Sequence, residues 1–223
     1  MRIFAAAALL WVAAVAQAQD PAIVSVQDDA VVFRGQINAR SAAEFLLLVN
    51  DARVTRLVIT SGGGDVAAAL DMAAVMHDRG LDIEVPHACH SSCANYLVPA
   101  ARIKTLAHAG VVAWHGNISH VMYLQQSGQA TWPDPQMAVA RRLALREEAF
   151  YRRVGVDGFI SWFGKIPPYN VEAFYSLSVD DMARFGIRDV TVRAPARDEG
   201  GVRAMRVDWS TLESIRPLVR LAP

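Results

Sequence analysis

Short apolar runs set off by glycines and polar turns recur along this chain, and their spacing predicts alternating strands and helices. Ala22–Val26 and Ala30–Arg34 read as short strands around Gln27-Asp28-Asp29. Gly35-Gln36 breaks the pattern, and Ser41 is the expected N-cap of a helix over Ala42–Asn50, with Glu44 at the capping-box position. Arg56–Thr60 is a compact β-branched run, the mark of a buried strand, and Ser61-Gly62-Gly63-Gly64 closes it. Asp65 then caps a helix over Val66–Arg79 that stops at Gly80. Leu81–Val85 predicts the next strand, His87–Cys93 a compact polar knot, and Ala94–Ala101 the start of an apolar helix. Val111–Trp114 predicts a strand, ended by His115-Gly116. After a polar loop, Gln125–Trp132, Pro133-Asp134-Pro135 opens a long amphipathic helix over Gln136–Val154. Pro167-Pro168 marks a loop, Ser178-Val179-Asp180-Asp181 opens a short helix over Met182–Phe185 that stops at Gly186, and Ile187–Val192 reads as extended.

Strand, glycine turn and helix in repeated units is the α/β pattern, with a mainly parallel sheet. The domain reading is a signal peptide over 1–18, an α/β domain over 19–193, and a linker and C-terminal tail over 194–223. The signal peptide rests on Arg2, the unbroken apolar run Ile3–Val15 and the small-x-small site Ala16-Gln17-Ala18. That run is shorter than the roughly 20 residues a spanning helix needs, which favours a cleaved leader over the alternative of an uncleaved N-terminal anchor, so the expected location is periplasmic or secreted. Residues 194–201 are rich in charge, Gly and Pro, and Val202–Pro223 has no clear period.

Composition narrows the function classes. Apolar residues make up 53% of the 223, and 22 basic residues balance 22 acidic ones. That balance offers no nucleic-acid surface and no acidic tail. The only cysteines are Cys89 and Cys93, too few for a disulfide framework, so the fold must rest on its core.

Three segments carry candidate chemistry. Glycines 62 to 64, between a strand and a helix, expose backbone N–H groups that can bind a phosphate or an oxyanion. His87-Ala88-Cys89-His90-Ser91-Ser92-Cys93-Ala94 places serines between a strand and an apolar helix, where a serine is either an N-cap or a presented nucleophile. His115, at the end of a strand, can act as a general base.

In this order the segments resemble the Clp protease proteolytic subunit and its crotonase-type relatives, a spiral of β-β-α units. "LVITSGGGDV" is similar to that family's strand and Ser-Pro-Gly-Gly turn, and "CHSSCANYLVPAA" to its nucleophile helix. "VVAWHG" is similar to the strand that delivers the histidine, and "LSVDDMARFGIRDV" to the ending of the domain. "SGQAT" and the helix from Pro135 are similar to the segment between them. The likeness covers about 56 to 192, and Cys-x-Ser-x-Cys ahead of an apolar helix resembles a group of exported, periplasmic Clp-like proteins.

The resemblance implies a serine hydrolase, a peptidase, with Ser91 as nucleophile, His115 as base, and an oxyanion hole from Gly63, Gly64 and Ser92. Ser92 is the runner-up nucleophile. The family's acid falls on Phe174, so Glu172 is the expected carboxylate, ahead of Asp134 and Asp180. Gly62 replaces the family's proline, and Cys93 a glycine. The resemblance implies no metal and no cofactor, a peptide or unfolded-protein substrate, a homo-oligomer and no nucleic acid. Outside the cytoplasm no ATP-driven unfoldase is expected to assist. The same fold without catalysis, acting as a binding or assembly protein, is the alternative, and an acyl-CoA enzyme is disfavoured by export. The cysteines leave three readings open: a disulfide pinning Ser91, metal ligation with His87, His90 and His108, or a free nucleophilic thiol. Trp132, Phe150, Tyr151, Phe159, Trp162 and Phe163 read as core or interface, and the charges at 141 to 148 as a solvated helix face.

Overall fold

The computed structural model describes residues 21–193 and 204–219. The expected signal peptide over 1–18 and the charge-rich stretch 194–201 therefore lie outside the described residues.

The fold is α/β, built on a mainly parallel six-stranded sheet. β1 (Ile23–Gln27) and β2 (Ala30–Arg34) form an antiparallel hairpin, with Asp28 in the left-handed region at φ 55°. Parallel pairing then adds β3 (Arg56–Thr60), β4 (Asp82–Val85), β6 (Lys104–Leu106) and β8 (Val190–Val192), giving the order β1-β2-β3-β4-β6-β8. Two further strands, β5 (Ala88–His90) and β7 (Val111–Ala113), pair in parallel as a second, small sheet. A bridge from Ser61 to Cys89 and an antiparallel bridge from Trp114 to Tyr175 widen that second layer. Chain leaving β3, β4 and β6 thus passes from the main sheet into the smaller one, which brings the glycine turn, the serine segment and His115 together.

Helices α1 (Ala39–Leu48), α2 (Val66–Arg79) and α5 (Asp134–Val154) pack around the sheets. Phe33, Leu57, Ile59, Ile83 and Val85 from the strands meet Phe45, Met72, Met76 and Leu97 from the helices in one core, all but excluded from water. Burying each such side chain contributes about 1.5–3 kcal/mol. Asp65 caps α2 through Ala68 N–H at 2.7 Å, and Gly80 ends it in the left-handed region, as the sequence indicates.

Several elements differ from the pattern reading. α1 begins earlier, because Asn38 is the N-cap: its Oδ1 accepts from the N–H groups of Arg40 and Ser41, and Ser41 Oγ accepts from Asn38 N–H. Glu44 instead pairs with Arg40 across one exposed turn. β6 and α4 (Ile118–Gln126) were not legible in the pattern. α4 has no fully buried residue, although Ile118, Val121 and Met122 fall at helical spacing. Part of the expected tail joins the domain: Ala204 bridges Ser176, and α7 (Trp209–Ile215) buries Leu212 and sets the Trp209 ring tilted against Phe185, centroids 4.9 Å apart. Arg184 of α6 (Val179–Arg184) lies over the Trp209 ring at 3.7 Å. No helix among the described residues is long and apolar enough to cross a membrane.

Candidate active site

Ser91 stands between the end of β5 and a turn of π-helix, Cys93–Leu97, which runs on into α3 (Val98–Ala100). Its φ is 55°, a left-handed conformation that costs a non-glycine residue about 1–2 kcal/mol. Three constraints hold it there. Ser91 N–H donates to Ala113 O at 3.0 Å, Ser91 O accepts from Asn95 N–H at 2.8 Å, and a disulfide joins Cys89 to Cys93, two residues to either side. Both sulfur-bearing residues are fully buried. The pair takes the disulfide reading left open by the sequence, and it consumes both thiols, so the cysteine-ligand and free-thiol readings fall away.

The sharp turn aims Ser91 Oγ at His115, whose Nε2 lies 2.7 Å away. His115 follows β7, where Trp114 and Tyr175 exchange backbone hydrogen bonds at 2.8 and 2.9 Å. Ser92, the runner-up, points elsewhere: it is buried, and its Oγ donates to Gly64 O at 2.7 Å.

Gly63 and Gly64 have φ of 94° and 146°, which L side chains rarely adopt. A methyl on Gly63 would stand 2.7 Å from His90 O and from Ser91 Cβ, and 2.8 Å from Ser92 N. The glycine turn is therefore pressed directly against the serine turn. Gly63 O and Asp65 N–H bond to Ile37, which leaves the intervening Gly64 N–H outside that ladder. Ser91, His115 and Phe174 line an open cleft of about 540 Å³ together with Gly35, Gln36 and glycines 62 to 64.

Glu172 is exposed and makes no hydrogen bond to His115 among the described residues. Its backbone carbonyl, with those of Val171 and Ala173, accepts from Lys165 Nζ. Asp134 and Asp180 lie in the first turns of α5 and α6, and neither bonds to His115. Against the His115 ring lies Phe174 instead, with centroids 4.5 Å apart, and the His90 ring stands 5.2 Å from the same phenyl group. Partial burial of its ring holds the His115 imidazole below its ordinary pKa, and the positive charges of Lys165 and of protonated His90 push the same way. Burial likewise lowers His120, with Lys165 and His115 adding to it, to about 4. Its ring stacks on Trp162.

A neutral imidazole 2.7 Å from a serine hydroxyl can accept its proton. Glycine N–H groups beside that hydroxyl can hold negative charge as it develops on an attacked carbonyl. The resemblance put Phe174 at the acid's place, and Phe174, not the expected Glu172, lies on the histidine. Sequence reasoning missed Lys165 as the nearby cation, and the roles of Asn95 and Glu147. Asn95 did carry a signal, as an amide inside the otherwise apolar run Ala94–Ala101. No protein-family model and no curated protein matches the chain.

Proposed function

We propose that this chain is an exported serine hydrolase, a peptidase working on a Clp-like, crotonase-related α/β fold, with a Ser91–His115 pair in place of a full triad. The observation that carries this reading is the 2.7 Å contact from Ser91 Oγ to His115 Nε2 at a strained turn against a glycine loop. His115 takes the Ser91 proton as Oγ bonds to the substrate carbonyl carbon. The N–H groups of Gly64 and Ser92, with Gly63 keeping the turn close, receive the carbonyl oxygen as it gains the electron pair. His115 returns the proton to the leaving nitrogen as the C–N bond breaks. Water, deprotonated by the same imidazole, then releases the acyl group and restores Ser91. The open cleft suits a short peptide or an unfolded segment, worked on by a homo-oligomer without an ATP-driven unfoldase. The buried disulfide and the leader-like N-terminus support export.

One observation favours a second reading, a non-catalytic binding or assembly protein. An aromatic ring, not a carboxylate, faces His115, and the surroundings disfavour its protonated form. Reaction of the mature protein with a fluorophosphonate probe decides between the two. The hydrolase reading expects labelling that is lost in Ser91→Ala and His115→Ala and kept in Ser92→Ala. Folded wild type that fails to label favours the second reading.

A further inference from the structure

The serine and the histidine follow different strands, and no carboxylate among the described residues bonds to the imidazole to fix the angle between them. Some other part of the molecule must do so. The groups behind them are buried, polar and connected. Asn95 is 2% exposed and sits four residues after Ser91 on the π-helical turn. Its backbone N–H donates to Ser91 O at 2.8 Å, and its side-chain Nδ2 donates to Gly116 O at 2.9 Å. Gly116 is the residue after His115, held at a φ of 128°. One residue therefore grips the serine with its backbone and the histidine loop with its side chain. Asn95 Oδ1 is buried without a hydrogen-bond partner among the described residues, so the amide is held here despite an unmet polar atom.

The next residue repeats the connection. Tyr96 Oη donates to Glu147 Oε2 at 2.5 Å, inside the fully buried core. Glu147, on α5, also accepts from Ser119 N–H at 3.0 Å, Ser119 Oγ at 2.6 Å and Ile118 N–H at 3.4 Å. Those groups form the first turn of α4, whose N–H groups draw negative charge, while full burial outweighs them and raises the Glu147 carboxyl above its ordinary pKa. The segment from Gly116 to Ser119 is thus tied to two consecutive residues of the helix that begins at the serine.

We propose that Asn95, seconded by the Tyr96–Glu147 pair, is the positioning element that sets His115 against Ser91, doing through buried hydrogen bonds what an acid does elsewhere. The proposal rests on the hydrolase reading for its consequence in rate, but the geometry it asserts does not depend on turnover. A polar residue buried in an apolar helix can be merely structural, so the test needs a readout that a structural role leaves unmoved. Imidazole ¹⁵N signals of the full mature protein report whether His115 Nε2 is hydrogen-bonded, with His115→Gln assigning them. Fluorophosphonate labelling reports the rate. Leu212→Ala, a deletion in the remote part of the core, serves as a control for destabilisation alone.

Asn95→Ala should move the Nε2 signal away from its hydrogen-bonded position and slow labelling by about 10- to 100-fold, the cost of misplacing a reacting group by about 1 Å. Tyr96→Phe should do the same to a smaller degree, and it decides the matter alone if Asn95→Ala does not fold. Leu212→Ala should lower the melting temperature and leave both readouts as in wild type. Wild-type Nε2 signals and labelling within twofold in Asn95→Ala and Tyr96→Phe would overturn the proposal, as would equal losses in Leu212→Ala. If wild type does not label but its Nε2 signal moves in Asn95→Ala, the hydrolase reading fails and the positioning stands.

Discussion

Replacing Phe174 with aspartate should raise the pH at which His115 titrates. The rings of His115 and Phe174 have centroids 4.5 Å apart, so a carboxylate in the phenyl position stands roughly 5 Å from the imidazole. Near a protein surface, at an effective dielectric of about 20, two unit charges at that distance attract by about 3 kcal/mol. Phe174 is 37% exposed, so water weakens the interaction, towards about 1 kcal/mol at the bulk limit. Each 1.36 kcal/mol moves a midpoint by about one pH. The His115 midpoint should therefore climb by roughly one to two pH, against the burial, Lys165 and His90 that now hold it down. The assay is an NMR titration of the His115 Cε1 proton in wild type, Phe174→Asp and Phe174→Asn. The asparagine variant removes the ring and adds no charge. A midpoint that rises equally in both variants would show that the ring's exclusion of water, not a missing charge, sets the value. A midpoint that moves in neither would show that the ring contact is absent in solution. Either result refutes the electrostatic account. On the hydrolase reading, the aspartate should also speed fluorophosphonate labelling by about 10- to 100-fold, part of what an acid contributes in a full triad.

Gly63→Ala should cost about 2–5 kcal/mol in urea denaturation, from the left-handed backbone and the 2.7 Å approach to Ser91 Cβ, and should slow labelling; unchanged values would refute the contact between the two turns. Replacing both Cys89 and Cys93 with alanine should lower stability by about 2 kcal/mol, since the closed loop is short, and the melting temperature by about 4–8 °C. No change in a calorimetric scan would mean that the bond does not form. His120 titrates at about 4 when folded and near 6.5 when unfolded, so the unfolded chain binds more protons between those values. The His120 share of stability should fall as pH drops through that window, by at most about 3 kcal/mol and less where water screens the ring; His90 and His115, also held down by burial, add to the fall, so His120→Asn should flatten it in part relative to wild type. Asp51 and Asp208, held at about 2, act only below 3.8, outside that window. Equal slopes in the two proteins would sink the assignment to His120.

Much of the fold was legible because local chemistry dictates it. Arg56–Thr60, its glycine turn, the Asp65 cap and the Gly80 stop follow from backbone preferences that act within a few residues, and the structure keeps those bounds. Pro133-Asp134-Pro135 likewise announces α5, which keeps its expected end at Val154 but opens two residues earlier, at Asp134. Ser91 and His115 could be singled out because each sits where an element ends, and the disulfide was one of the readings that the spacing of Cys89 and Cys93 allowed. What the sequence could not decide is long-range. α4 buries none of its residues fully, and besides the local cap from Asn117 its first turn is held by Glu147 of α5, a partner 28 residues away from Ser119. Residues 204–219 pack because Phe185 and Asp157 wait for Trp209 and Arg216, partners that no period in the tail announces. The third group beside the histidine shows the limit most clearly. Glu172 and Phe174 are two residues apart, and nothing local says which one meets the ring. In the fold Tyr175 bridges Trp114, Lys165 gathers the carbonyls of 171 to 173, and it is Phe174 that lies on His115. Turns and caps are written in neighbouring residues, whereas the surroundings of a side chain are set by whichever distant segments the core brings against it.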